Sequence, residues 1–91
     1  MILDYRPFKN KIEDFYYNKI LQENIEYLNK HGKGPYEYDG SFANRVTPYF
    51  DVNYWMAYQD WLEENFNAAL NNNVIAFLSE NSALMFILRW S

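Results

Sequence analysis

Apolar positions recur at helical spacing over residues 9–31. Ile12, Phe15, Tyr16, Ile20 and Tyr27 fall on one flank, and Tyr17, Leu21, Ile25 and Leu28 on the adjoining one. The polar strip left over (Lys11, Asn18, Lys19, Gln22, Glu26, Asn29) is narrow, so this helix is expected to be central or shared with a second chain. Pro7 suits the approach to a first turn, and Gly32 supplies a C-terminal stop. A second helix is predicted from Val52 or Asn53 to about Leu70, capped by Asp51 or Asn53, with Pro48 preventing an earlier start. Tyr54, Trp55, Tyr58, Trp61, Leu62, Phe66, Ala69 and Leu70 make its apolar stripe. Asp60, Glu63, Glu64 and Asn67 make an opposite ridge at i, i+3, i+4, i+7.

After Asn71-Asn72-Asn73, a poor helix sequence, two apolar runs at 74–78 and 83–90 read as strands joined by a turn at 79–82. An isolated two-stranded ribbon is marginal in water, and residues 2–5 are the natural third strand. The expected fold is therefore α+β: two helices packed on a small antiparallel sheet in the order β-α-α-β-β. An all-α three-helix fold, with a helix over 74–90, is the rival. One domain spans 1–91, with a long loop at about 32–50 that holds a hairpin signal at Asp39-Gly40 between alternating aromatic and polar residues.

Composition changes this picture in one respect. Nineteen of 91 residues are aromatic (Phe 7, Tyr 9, Trp 3), more than so small a core can enclose, so some rings are expected to face a partner. Trp55, Trp61 and Phe66 sit at core spacing; Tyr36, Tyr38 and Tyr49, with Tyr5 or Tyr17, are the rings expected outside. There is no cysteine, which excludes a disulfide framework or thiolate cluster and favours a reducing compartment, with the cytoplasm as the default. Neither a signal-type apolar segment nor a membrane-length run is present in the sequence.

The net charge of −4 is unevenly spread. Up to Lys33 there are six basic and five acidic residues; from Gly34 onward two basic residues stand against seven acidic ones. Such a half repels phosphate and attracts a basic protein surface, which argues against direct nucleic-acid binding. Stacking of single-stranded bases on Tyr36, Tyr38, Phe42 and Tyr49 beside Lys33 and Arg45 meets the same objection.

Candidate chemistry is thin. His31, the sole histidine, ends a helix where a cation suits the dipole; catalysis would require Glu37 or Asp39 to orient it and Ser41 as nucleophile. Gly32-Lys33-Gly34 follows a helix and is succeeded by Pro35, unlike a phosphate loop. Asp60, Glu63 and Glu64 are close enough to share a cation, but nothing supplies further ligands by spacing. Carboxylates paired across a cleft, Glu37, Asp39 or Asp51 against Glu63 or Glu64, would require a deeper pocket than this length favours.

The expected function is accordingly a non-catalytic, acidic, aromatic-rich interaction protein without cofactor or metal. It would bind and inhibit a larger protein with a basic surface, such as a nuclease or other nucleic-acid enzyme, through Tyr36, Glu37, Tyr38, Asp39, Tyr49, Asp60, Glu63 and Glu64. In size and composition the chain is similar to small phage-encoded inhibitors and toxin-immunity proteins, with no residue motif of either. A structural homodimer through the first helix, with no inhibitory role, is the alternative, and a small hydrolase using carboxylates or His31 comes third.

Overall fold

The computed structural model describes residues 1–36 and 45–91. Glu37, Tyr38 and Asp39, and with them the hairpin signal at Asp39-Gly40, lie outside the described residues. The described elements run β1 (Ile2–Asp4), α1 (Lys9–His31), α2 (Val52–Phe66), β2 (Ala68–Asn71), β3 (Val74–Phe77) and α3 (Glu80–Trp90). The three strands form one antiparallel sheet in the order β1-β3-β2. The α+β class and the β-α-α-β-β order are those expected from the sequence; α3 is appended after them.

Local chemistry sets each boundary. A turn closed by Phe8 N–H donating to Tyr5 C=O (2.9 Å) leads into α1. The helix ends at Gly32, whose left-handed φ of 74° lets its N–H reach Leu28 C=O at 2.8 Å. Asp51 caps α2, accepting the Tyr54 N–H at 3.0 Å. Asn67 (φ 53°) stops α2 four residues before the expected Leu70, so residues 68–70 pass into β2 instead of a last helical turn. Asn72 (φ 55°) then turns β2 into β3 through a two-residue loop, a conformation asparagine tolerates.

The hairpin therefore lies at 68–77, one element earlier than expected, and 83–90 is not a strand. Ser79 caps α3 by accepting from Ser82 N–H (3.2 Å), and Ala83, Phe86 and Trp90, at helical spacing, turn into the core. An alternation of Leu84, Phe86, Leu88 and Trp90 suggests a strand only while the 3.6-residue period of the same run is ignored. The all-α rival fails because 74–77 pairs on both sides.

Leu3, Ile75 and Leu70 form a row across the sheet's inner face, beside Ala68 and Phe77. Above them sit Tyr5, Ile12, Tyr16, Tyr58, Leu62, Ala83, Phe86 and Trp90. Aromatic edges and faces run through the core: Phe8 and Phe77 against Phe86, Phe66 against Trp61, Phe86 and Trp90, and Tyr16 against Tyr54, Tyr58 and Trp61. At about 1.5 Å per residue, the 23 residues of α1 outrun this core. The molecule measures 45 × 21 × 19 Å. No described helix is long and apolar enough to cross a membrane.

Candidate functional site

The outer flank of α2 follows directly from its pitch. With Tyr58 and Leu62 buried, Asn53, Ala57, Asp60 and Glu64 recur at i, i+4, i+7, i+11 along one side, with Glu63 and Asn67 adjoining. Asp60, Glu63 and Glu64 are all exposed, as expected, and with Asn67 and Leu78 they line a shallow depression of about 340 Å³. Among the described residues the ion pairs are Arg6 with Asp4 (2.8 Å) and Lys19 with Glu23 (2.6 Å), so the ridge is not neutralised by either.

Toward the start of α2 the same flank forms one wall of a groove of about 280 Å³. Tyr16 and Ile20 of α1 face Asn53, Tyr54 and Ala57 of α2, and Tyr36, Tyr49 and Asp51 close the end. The returning segment is held there by Asn24, a buried amide on α1. Its Nδ2 donates to Val46 C=O (2.8 Å) and to the Tyr36 hydroxyl (3.3 Å), which also accepts the Tyr49 N–H (3.3 Å). Tyr36 is thus half-buried and fixed, and Tyr49 stays exposed with the Arg45 guanidinium 5.1 Å from its ring centroid.

The structure brings Tyr36 and Tyr49 together beside Asp51, and Asp60, Glu63 and Glu64 together about two and a half to three and a half turns further along α2. Asn24 was not among the expected residues. The signal for it was an amide set among the apolar positions of α1, where burial demands hydrogen-bond partners.

Tyr36, expected outside, is half-buried, and two further ring assignments are corrected. Tyr5, expected outside, is sealed: Tyr58 and Tyr5 share a hydroxyl–hydroxyl bond, and Tyr5 donates its proton to Glu13 Oε2 at 3.0 Å, which leaves Tyr58 as donor to Tyr5. That satisfied chain explains how a phenol reaches the core. Trp55, at core spacing, is instead 40% exposed, because Tyr58 and Leu62 fill the centre of the stripe and Trp55 stacks on Phe50 at its margin. Trp61 and Phe66 are partly buried against the core, and Tyr17 is half-buried against Phe50.

Burial, before any other cause, raises the phenol of Tyr54 to about 12. Tyr16 is raised by burial and then by the charges of Glu23 and Asp60. Tyr5 and Tyr58 are pushed up further, again chiefly by desolvation. The Tyr16 and Tyr54 hydroxyls in the groove are thereby held in their neutral form.

Other candidates take structural roles. His31 is exposed at the end of α1 against the Tyr27 ring (4.2 Å), and its required partners Glu37, Asp39 and Ser41 lie outside the described residues. Ser79 and Ser82 build the α3 cap, and the Thr47 hydroxyl accepts from Arg45 Nε at 3.2 Å. Among the described residues no group of three His, Asp or Glu side chains is placed to hold a metal ion. What remains is a tyrosine-lined groove with the Asp51 carboxylate at its end, continued by further carboxylates, an arrangement that suits recognition of a cationic surface. No protein-family model, curated protein or solved structure matches this chain.

Proposed function

We propose that this is a small non-catalytic interaction protein that docks on a larger protein with a basic surface and inhibits it by occlusion. A nuclease or other nucleic-acid enzyme is the natural class of target, because carboxylates can occupy positions that phosphates would take. Phage-type inhibitors and immunity proteins work at this scale. The observation that carries the reading is the exposed row Asp60, Glu63 and Glu64 on α2, without an ion pair among the described residues. Asp60 and Glu64 repel each other at i, i+4, a small cost to the helix that a basic partner would reverse. Exposed Tyr49 adds rigid contact area at low entropic cost.

Affinity capture at low and high salt, with the triple variant Asp60→Asn/Glu63→Gln/Glu64→Gln as control, tests it. The expected result is a partner retained at low salt, released at high salt and lost in the variant. Retention unchanged in both comparisons would remove the acidic row from the interface.

Self-association is a second reading, favoured by one specific feature. The outward side of α3 is apolar, with Met85 70% and Leu88 84% exposed beside half-exposed Leu84. Glu80 and Arg89 flank this patch with opposite charges, so a second copy of the same face brings no net charge against it. Light scattering of the wild type and of Leu88→Glu decides it: a dimer that dissociates in the variant supports this reading, and a monomeric wild type rejects it.

A further inference from the structure

We infer that the groove between α1 and α2 is a receptor pocket for an arginine side chain of the basic partner, seated among Tyr16, Tyr36, Tyr49 and Tyr54 with Asp51 as its counter-ion. The inference rests on the docking reading above and assigns the anchoring position within it. Three observations meet at this place. First, the pocket of about 280 Å³ is walled by four phenol rings and one carboxylate, a composition that attracts a planar cation through ring faces and charge together. Second, Asp51 has capacity to spare: Oδ1 accepts the Tyr54 N–H at 3.0 Å, and among the described residues no hydrogen bond is made to Oδ2. Third, Asn53 and Ala57 of the pocket wall continue without a break into Asp60 and Glu64, so a basic segment anchored in the pocket would lie along carboxylates.

The rigidity of the pocket favours an anchor. Tyr36 is fixed by the Asn24 amide and the Tyr49 N–H, and the Tyr16 ring is wedged edge-on between Tyr54 (5.4 Å) and Tyr58 (5.0 Å). Little side-chain freedom is left to lose on binding. Ring faces here already receive cations from the chain itself: Arg45 stands 5.1 Å from the Tyr49 centroid, and Lys19, bound to Glu23 at 2.6 Å, stands 6.0 Å from that of Tyr16. The first turn of α2 by itself would favour an anion, but the Asp51 carboxylate occupies that position. A small residue at Ala57 leaves the opening clear.

The test is a titration of the isotope-labelled full chain at low salt with an arginine-containing peptide, followed by backbone amide shifts. The same peptide with citrulline, which keeps the shape and loses the charge, is the control. The arginine peptide is expected to move Tyr49, Asp51, Asn53, Tyr54 and Ala57, and citrulline to leave them in place. Asp51→Asn keeps a good helix cap and is expected to weaken binding by roughly tenfold. Tyr49→Leu, at an exposed ring, is expected to weaken it by about three- to tenfold. Equal binding of the citrulline peptide overturns the inference. So do shifts confined to Asp60, Glu63 and Glu64, an outcome that leaves the docking reading standing. If neither region responds at any salt concentration, both readings fall.

Discussion

Two helices, α2 and α3, pack on the same core and present opposite chemistry to solvent. Inward they are alike: α2 contributes Tyr58 and Leu62, α3 contributes Ala83, Phe86 and Trp90, all buried. Outward, the later turns of α2 show Asp60, Glu63 and Glu64, whereas α3 shows Leu84, Met85 and Leu88. The fold requires only the inner stripe of each helix. The outer sides are free to vary, and that freedom is what lets one be acidic and the other apolar.

The contrast can be broken most severely from inside. Phe86 is fully buried, with Phe8, Phe66 and Phe77 around it, so Phe86→Ala is expected to cost about 3–5 kcal/mol in chemical denaturation. Leu88→Ser, two residues on, is expected to stay within about 0.5 kcal/mol of wild type. Equal losses would mean that the two sides of α3 are not distinct.

Next in size is an alkaline effect of the core phenols, two of which, Tyr54 and Tyr58, belong to the inner side of α2. Tyr5, Tyr16, Tyr54 and Tyr58 have folded-state values raised above 10, so the folded chain holds these protons more tightly than the unfolded one. Their contribution is fully present below pH 10 and declines as pH rises above it. Tyrosinate absorbance from these four rings is expected to rise cooperatively with unfolding. A single non-cooperative titration centred at pH 10 would contradict that.

Smaller and more even effects come from the caps. Asp51→Ala and Ser79→Ala each remove the side chain that accepts a first-turn N–H, and each is expected to lower stability by about 1 kcal/mol. Smallest of all, Glu64→Lys replaces an i, i+4 repulsion with an attraction to Asp60, raising stability by a few tenths of a kcal/mol while weakening capture of a basic partner. Loss of stability in that variant would show that the acidic flank serves the fold.

The helices α1 and α2 were legible because each has a long apolar stripe and an explicit stop or start, Gly32 and Asp51. The hairpin was displaced because Ala68, Ala69 and Leu70 are good helix formers that extend the α2 stripe; only the left-handed backbone of Asn67 separates them from it. For α3 the difficulty was its apolar outer side, since a helix normally announces itself by a polar back. At the site, the acidic ridge could be read from spacing alone. The tyrosine groove could not, because it depends on Asn24, about two turns inside α1, meeting Tyr36 beyond the end of that helix.

The overrun of α1 past the core has a hydrodynamic consequence. A chain of 91 residues packed as a sphere would have a radius of gyration of about 12 Å; this one has 15.4 Å and is more than twice as long as it is wide. Such a rod tumbles slowly and migrates through a sizing column ahead of its true mass. A lone protomer would then elute slightly ahead of a compact sphere of the same mass, well short of the place of a pair.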